Sequence, residues 1–279
     1  MKVHKVLKVK KLYRPYRHYG LLTNFIMFYL YNLIFFEPLL NGLALLIKYI
    51  PLHDMGLAII VLTVAVRFII LPFTHKSTVT QIKMKKLEPE LREIKNTHKN
   101  DSQAQAKKTM ELYKKHGINP VAGILTLFIQ IPIIFALYKV FLGGTAFDPA
   151  HLYSFVAAPD FVAVKFLGLI DLTQKSYIMP ALAALTQFYQ MKLAIPPIKK
   201  EDMGNTFKDN LARSMNVQMR YVMPFFIFFI GLKLSSGIAL YWTTMNIFAI
   251  VHEAIVRKKA GKIYGESNQN NIGLTGGTA

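Results

Sequence analysis

The chain has 279 residues, of which 53% are hydrophobic, and it carries 34 Lys and Arg against 15 Asp and Glu. It contains no cysteine, which excludes a disulfide framework and a thiolate metal site. A net charge of +19 could indicate nucleic-acid binding, but most basic residues lie in four segments that alternate with apolar stretches. These segments are residues 1–17, 75–118, 190–220 and 252–279. By the positive-inside rule, this pattern predicts an all-α polytopic membrane protein with the four segments in the cytoplasm.

Residues 1–54 are predicted to form a basic tail followed by two apolar segments. Residues 20–36 are apolar and end at Glu37-Pro38, which favours a short uncleaved membrane anchor. Residues 39–50 then predict an interfacial helix on the outer surface of the membrane. The alternative merges residues 20–50 into one interfacial helix and leaves the basic tail outside.

Residues 55–74 predict the first span of a transmembrane core, and Arg67 is the single charge within it. About 20 apolar residues match the ~30 Å hydrocarbon core of a bilayer. An arginine inside such a span costs about 2.5–3.5 kcal/mol, so it usually faces protein or a water-filled cavity. None of the 15 acidic residues lies in the middle of a predicted span; Glu253 is the nearest candidate, and Arg257 follows it by one turn. Arg67 is therefore a candidate site residue whose counter-ion comes from another molecule, with a structural ion pair as the alternative.

Residues 76–117 predict a cytoplasmic hairpin of two charged helices, joined by a turn at residues 99–102 and ending at Gly117. Its excess of basic residues suits a surface that meets anionic lipid or RNA, although a solvated face explains the charges equally well. The candidate recruitment residues are Lys83, Lys85, Lys86, Arg92, Lys107 and Lys108.

Four more apolar stretches complete a predicted five-helix core over residues 55–256. They are residues 121–141, 176–195, 217–234 and 238–256. Residues 161–172 predict a further interfacial helix on the outer side. Residues 257–279 predict a short basic segment and then a disordered tail from residue 265.

Uncharged polar side chains recur at membrane depth in these spans. The candidate groove residues beside Arg67 are Thr63, Gln130, Gln187, Gln190, Trp242, Thr244 and Asn246. Each polar residue alone is typical of a helix–helix hydrogen bond. Together they predict a hydrated groove that contains the arginine.

The sequence contains none of the catalytic motifs expected of an intramembrane enzyme. His252-Glu253 begins like a zinc-protease motif, but the position that needs the second histidine is Val256. No phosphate-binding loop, nucleophile elbow or mid-span aspartate pair occurs. We therefore expect no enzymatic activity and no cofactor.

Five stretches, taken in order, resemble the YidC/Oxa/Alb family of membrane protein insertases over residues 35–257. They are FFEPLLNGLALLIKYIP, GLAIIVLTVAVRFIILPFTHKSTVTQIKMKKLEPELREI, KKHGINPVAGILTLFIQIPIIFALYKVF, YIMPALAALTQFYQMKL and MPFFIFFIGLKLSSGIALYWTTMNIF. A series in this order is far more specific than any single motif.

The resemblance implies a five-span core with a cytoplasmic hairpin after its first helix, and the family's core arginine falls on Arg67. Its groove would be open to the cytoplasm and to lipid, closed on the outside, and would receive polar or acidic parts of nascent membrane proteins. Hydrophobic helices would leave past the first and third core spans, without nucleotide or metal. Gln130 and Gln187 match plausible groove positions, and Tyr241-Trp242 matches the family's last-span signature.

The resemblance also implies partners and a location. Nascent membrane proteins and the lipid bilayer are the expected partners, with the ribosome, the signal recognition particle machinery and the Sec translocon as further candidates. The expected protein is a monomer in the plasma (inner) membrane with a cytoplasmic C-terminus and no DNA partner.

The chain departs from the family pattern at several places. Ile124-Leu125-Thr126 replaces a usual Cys-Leu-Pro, Ser235-Ser236 replaces a turn that usually carries proline, and Lys233 is an added charge. The large extracytoplasmic domain of some members is absent.

Two other functional classes remain open. A secondary transporter or channel would use Arg67 as an anion site, but the internal repeats with broken helices that are typical of transporters are not seen. A basic RNA- or ribosome-binding membrane anchor would depend on the lysines of the hairpin and not on Arg67.

Overall fold

The computed structural model describes residues 26–99, 101–119, 122–142, 147–195 and 214–274. Its helices are α1 (Ile26–Tyr49), α2 (Met55–Lys86), α3 (Glu88–Thr97), α4 (Ser102–Lys115), α5 (Ala122–Leu142), α6 (Ile178–Ala194), α7 (Met223–Gly231) and α8 (Ser236–Leu274). Two short strands, β1 (Lys165–Phe166) and β2 (Ile170–Asp171), lie between α5 and α6. The predicted basic tail and the first residues of the predicted anchor lie outside the described residues.

Helix α1 is continuous, so the predicted interruption at Glu37-Pro38 is wrong. A π-helical turn, Asn32–Phe36, precedes the proline, and the backbone N–H of Glu37 donates to the carbonyl of Asn32. Proline lacks the N–H that a continuing α-helix would use, and the wider π-helical turn accommodates that loss. The predicted interfacial helix at residues 39–50 is the second half of α1, in agreement with the alternative of a single helix.

A lysine attaches α1 to α5. The ammonium of Lys139 lies 3.8 Å from the centroid of the Phe36 ring and 5.4 Å from that of Phe28. It also lies 3.4 Å from Oδ1 of Asn32, to which it donates a hydrogen bond. Cation–π contacts of this kind contribute about 0.5–2 kcal/mol. The charge of Lys139 is therefore tolerated in an apolar helix because α1 supplies its partners.

Helix α2 begins at the N-cap Asp54 and extends beyond the predicted span. Oδ1 of Asp54 accepts hydrogen bonds from the backbone N–H groups of Gly56 at 2.7 Å and Leu57 at 3.0 Å. The helix continues through Pro72 to its last residue, Lys86. The apolar span and the first basic turns of the predicted hairpin are thus one rigid element.

Helices α3 and α4 form the arms of a hairpin at the end of α2. Leu87, Leu112 and Ile118 make a small buried cluster between them, separate from the main core. Gly117 follows α4 with a φ of +61°, a conformation that glycine adopts without steric cost. We call this end of the molecule the hairpin end, and the opposite end, which carries residues 147–177, the loop end.

The predicted interfacial helix at residues 161–172 is wrong, because this segment contains the antiparallel strands β1 and β2. The alternation of Val162, Val164 and Phe166, all packed against the core, is the period of a strand. Backbone hydrogen bonds join the segment to α2: Met55 N–H donates to the Ala163 carbonyl at 3.0 Å. Oδ2 of Asp54 also accepts from the backbone N–H of Leu167 at 2.7 Å. These tertiary bonds favour the extended backbone.

The long helices pack in a row. Helices α1 and α5 pack against α2, α2 packs against α8, α8 against α6, and α6 against α7. Within the described residues α5 and α7 make no extensive contact with each other. Among the described residues these two helices therefore belong to opposite ends of the row, and we call the part of the core between them the α5–α7 side.

Large apolar side chains cover much of the outside of this row. Exposed examples are Phe68, Ile69, Phe128, Phe135, Phe225 and Phe229. Three of the described helices, Ile26–Tyr49, Met55–Lys86 and Ser236–Lys259, are long and apolar enough to cross a membrane. The predicted all-α membrane fold is confirmed. The five-helix core stays a prediction, because the other helices do not meet this criterion over their described residues.

The end of α8 differs from the sequence prediction. The predicted disordered tail begins at residue 265, whereas α8 is helical to Leu274. Once a helix is nucleated, each added residue gains a hydrogen bond at little cost, so an apolar span readily extends into a polar segment.

Replacing Asp54 by alanine should destabilise the protein more than replacing Asp101, the exposed N-cap of α4. Each carboxylate accepts from two backbone N–H groups of its own helix. Such a cap contributes about 1 kcal/mol. Asp54→Ala also removes the acceptor of the Leu167 N–H, which costs about 1–3 kcal/mol more. Thermal unfolding of the purified protein in detergent measures both losses, and equal losses would contradict the role of Asp54 at the loop end.

Candidate functional site

Arg67 lies on α2, half-buried, beside two residues of α8. Its guanidinium interacts electrostatically with Tyr241 and His252. Among the described residues it has neither a hydrogen bond nor a carboxylate partner. The nearest acid proposed from the sequence, Glu253, accepts from Arg257 at 2.8 and 3.1 Å instead. The described part of the chain therefore supplies no structural ion pair for Arg67.

Gln130 approaches the same place from α5. Its Nε2 donates a hydrogen bond of 2.6 Å to the hydroxyl of Tyr241, which is buried next to Arg67. Three helices, α2, α5 and α8, thus bring an arginine, an amide and a phenol together. We call Arg67, Gln130 and Tyr241 the polar centre. The sequence predicts the first two as groove residues, while Tyr241 was noted only as part of a family signature.

A histidine pair lies towards the hairpin end from the polar centre. Nδ1 of His75 on α2 is 3.3 Å from Nε2 of His252 on α8, so one ring donates and the other accepts. In the sequence, His252 is recognisable only as the start of an incomplete zinc-protease motif. The two histidines are 177 positions apart, and only the packing of α2 on α8 pairs them.

Three of the predicted groove residues have hydrogen bonds that explain them structurally. The hydroxyls of Thr63 and Thr244 donate to carbonyls of their own helices at 2.6 and 2.9 Å. Nδ2 of Asn246 donates to the Ala183 carbonyl at 3.3 Å and to the Thr186 hydroxyl at 3.2 Å, which joins α8 to α6. These side chains are satisfied without a substrate.

The other predicted groove residues differ in their surroundings. Trp242 is buried within the main hydrophobic core next to Tyr241. Gln187 and Gln190 lie half-buried on α6 and make no side-chain hydrogen bond with the described residues. Their amides are available to a polar ligand, whereas the indole of Trp242 packs against neighbouring apolar side chains.

The predicted recruitment residues lie at the hairpin end, three on the last turns of α2 and three on the arms α3 and α4. Lys85, Lys86, Lys107 and Lys108 are exposed, and Lys83 and Arg92 are partly exposed. Lys108 pairs with Glu111 at 2.9 Å, and this hydrogen bond holds the pKa of the Glu111 carboxyl below its ordinary value. Arg92 lies 3.8 Å from Glu88 on the same helix. Exposed pairs of this kind contribute little to stability. The hairpin therefore holds its charges at the surface, where a partner of opposite charge can reach them.

Arg220 is a buried cation at the end of the basic segment 190–220. It lies in the π-helical turn Gln218–Val222 that leads into α7, and its side chain is 7% exposed. Its Nε and Nη1 are buried and have no hydrogen-bond partner among the described residues, and its Cζ lies 5.6 Å from the centroid of the Tyr221 ring. Arg220 also falls within the predicted span at residues 217–234, and this position in the sequence indicates that its side chain can be buried.

Helices of this length and apolarity, with a half-buried arginine between them, define the class: a polytopic membrane protein with a cationic polar centre. The family described as 60Kd inner membrane protein matches residues 46–262. The chain is 35% identical over 236 residues to the membrane protein insertase YidC of Fusobacterium nucleatum subsp. nucleatum, covering 84% of this chain and 99% of that protein.

Longer relatives match the same region. The chain is 31% identical over 224 residues to the membrane protein insertase YidC of Geobacter metallireducens, covering 80% of this chain and 36% of that protein. It is 32% identical over 222 residues to that of Campylobacter jejuni subsp. jejuni, covering 80% of this chain and 37% of that protein. The chain belongs to the YidC/Oxa family of membrane protein insertases, which confirms the resemblance drawn from the sequence.

Replacing Arg220 by methionine should leave stability unchanged or increase it by about 1–4 kcal/mol, because a buried guanidinium whose only neighbour among the described residues is an aromatic ring is costly. Arg257→Met is the matched comparison. It leaves the buried Glu253 carboxylate unpaired and should destabilise by about 1–3 kcal/mol. Thermal unfolding in the same detergent measures both changes. A large loss of stability in Arg220→Met would show that the guanidinium has a stabilising partner in the folded protein.

Proposed function

We propose that this protein inserts nascent membrane proteins into the bilayer by receiving a short polar or acidic segment at Arg67. The observation that carries the proposal is the guanidinium of Arg67, which has no carboxylate partner among the described residues and lies within an apolar helix. A client carboxylate would interact with a charge that the protein has already partly desolvated. The names of the Fusobacterium, Geobacter and Campylobacter relatives support the general activity.

The physical problem of insertion is the polar segment that precedes or follows a client's apolar helix. A single carboxylate placed at the bilayer centre costs about 2.5–3.5 kcal/mol on insertion scales. A cation ~4 Å from that carboxylate stabilises it by several kcal/mol at an effective dielectric constant of about 20. Arg67 and the amides of Gln187 and Gln190 would lower the barrier for one short segment. The cost of desolvating a long hydrophilic domain would exceed the stabilisation that these side chains provide.

We place the exit of an apolar helix between α5 and α7, the second and fourth core spans, and not at the first and third core spans that the resemblance implies. Phe128 and Phe135 of α5 and Phe225 and Phe229 of α7 are exposed on these two helices. An apolar client helix that leaves past them exchanges protein for lipid contacts without exposing polar backbone to hydrocarbon. Each Leu, Ile, Phe or Val of the client contributes about 0.3–0.6 kcal/mol to partitioning, so the client's own hydrophobicity drives the step. No nucleotide is needed for such a mechanism.

In the proposed topology the hairpin end and the C-terminus face the cytoplasm. The distribution of basic residues supports this orientation, because eleven Lys and Arg lie in residues 75–118 and four in residues 252–279. The hairpin would then meet the cytoplasmic membrane surface, the ribosome or the targeting machinery. Its exposed lysines and arginines match the negative charge of each of these partners.

Insertion into liposomes tests the proposed role of Arg67. The reporter is a single-span protein with a short acidic outer tail, and the readout is protection of that tail from added protease. We expect insertion by the intact protein, retention in Arg67→Lys, and a loss of about tenfold or more in Arg67→Ala, since tenfold corresponds to about 1.4 kcal/mol. A reporter with asparagine in place of each aspartate should depend much less on Arg67.

Two outcomes of that assay would count against the proposal in different ways. Equal insertion by the intact protein and Arg67→Ala would keep the insertase function and exclude the proposed role of the arginine. Insertion no better than in empty liposomes, for several reporters, would exclude the function itself.

Charge reversal at the hairpin end should distinguish the recruitment of ribosome-bound nascent chains from the insertion step itself. Replacing Lys83, Lys85 and Lys86 by glutamate should reduce insertion of ribosome-bound nascent chains, because a basic recruitment surface becomes acidic. Insertion of the purified reporter should be unchanged. The control is the pair Lys114→Glu and Lys115→Glu at the end of α4. Equal defects with both reporters would contradict a role in recruitment.

A further inference from the structure

A cavity of about 540 Å³ opens at the loop end of the core. It lies where the end of α5, the segment before α6 and the turn between α7 and α8 meet. Its lining combines apolar side chains, among them Phe141 and Leu234, with Lys175, Lys233 and Ser235. Pockets that hold small ligands commonly measure about 300–1,000 Å³ and have this mixture of apolar walls and a few polar groups.

The polar lining of the cavity is positively charged and has unused hydrogen-bond donors. Within the described residues, Lys175 and Lys233 have no ion pair, and no acidic residue lines the cavity. The nearest acid along the chain, Asp171, accepts from the hydroxyl and backbone N–H of Thr173 at 2.6 and 2.9 Å. The hydroxyl oxygen of Ser235 is buried and has no hydrogen-bond partner in the described part of the chain. Two ammonium groups and a free hydroxyl suit an anion with several oxygens.

Hydrogen bonds next to the cavity hold the segment before α6 against the start of α8. The N–H and the hydroxyl of Ser236 donate to the Gln174 carbonyl at 2.8 and 2.7 Å, and Gly237 N–H donates to the Leu172 carbonyl at 3.0 Å. A Cβ at Gly237 would lie 3.2 Å from Cε1 of Phe141, so glycine permits the close approach of α8 to α5. A site that is rigid before binding loses little conformational entropy when a ligand enters.

The two lysines lie at the end of the core that the positive-inside rule leaves poor in basic residues. The four basic segments lie elsewhere in the chain, and Lys233 and Ser235 are two of the positions at which the chain departs from the family pattern. These charges therefore do not serve the orientation of the protein. Lipid phosphate groups occupy the membrane surface at the level of a span's end, where they attract lysine side chains.

We propose that this cavity binds the phosphate group of a phospholipid from the outer leaflet, held by Lys175, Lys233 and the hydroxyl of Ser235. The apolar walls contact the glycerol and the first acyl carbons. The bound lipid joins the end of α5 to the turn after α7, the two helices on either side of the α5–α7 side of the core. It thereby keeps the loop end closed while the side between them stays open to lipid. The inference rests on the topology of the proposed function.

Native mass spectrometry of the full-length protein in detergent tests the site with three probes. They are an anionic phosphatidylglycerol, a zwitterionic phosphatidylcholine and soluble glycerol 3-phosphate. The test variant is Lys175→Gln with Lys233→Gln, and the control is Lys48→Gln with Lys165→Gln, which removes the same charge from the same end. We expect phosphatidylglycerol to bind about tenfold more weakly to the test variant than to the control. Ser235→Ala should weaken binding about threefold.

Each other outcome has a definite meaning. Equal binding by the test and control variants would overturn the site. Full competition by glycerol 3-phosphate at the same concentration as the lipid would overturn the lipid as its ligand. The Arg67→Ala protein should bind phosphatidylglycerol as the parent does, so the result is independent of the insertion assay. Insertion by the parent protein no better than in empty liposomes, with its lipid binding intact, would contradict the proposed function. Loss of lipid binding in the test variant, with Arg67-dependent insertion intact, would leave the proposed function standing and contradict the role of the bound lipid in it.

Discussion

A permanent positive charge inside an apolar helix is the constraint on which the polar part of this structure depends. Arginine does not lose its proton at physiological pH, so Arg67 must be solvated by protein, water or a ligand wherever α2 places it. Among the described residues the phenol of Tyr241 lies beside it, and the hydroxyl oxygen of Tyr241 accepts a hydrogen bond of 2.6 Å from Nε2 of Gln130. This arrangement supplies dipoles and no opposing charge. The electrostatic demand of the guanidinium is therefore only partly met by the described residues, and the proposed function assigns the remainder to the client.

Polar residues elsewhere in the core stabilise the helix row that holds this charge. Asn246 joins α8 to α6, Lys139 joins α5 to α1, and Asp54 joins the start of α2 to the loop end. Each contact is made near one end of a helix or between two helices that pack closely, so the row is fixed without filling the side between α5 and α7. In an apolar environment, few water molecules or other polar groups compete for a hydrogen bond, so its two partners are well defined. Contacts that hold the helices in place keep the guanidinium of Arg67 in the same position before and after a client binds.

The two ends of the molecule differ in chemistry. The hairpin end carries exposed lysines and arginines on helices with a thin apolar cluster, so it is held mainly by α2. The loop end is compact, with short strands bonded to α2 and a rigid turn between α7 and α8. In the proposed function this asymmetry has a direct meaning: the hairpin end admits polar segments from the cytoplasm, and the loop end limits their passage.

The sequence by itself determined the membrane class, the family, the position of Arg67 and the hairpin, because these depend on local apolar length, charge distribution and residue order. It did not determine how residues 161–172 fold, since their backbone bonds are made to Asp54 and Met55, more than one hundred positions away. It also missed the continuity of α1, because a π-helical turn absorbs a proline that local rules treat as a break. Tertiary packing alone decided that Gln130 reaches Tyr241, that His75 meets His252 and that Arg220 is buried. The physical reason is common to all three: side chains on different helices meet only through the crossing of those helices, which no local pattern of residues encodes.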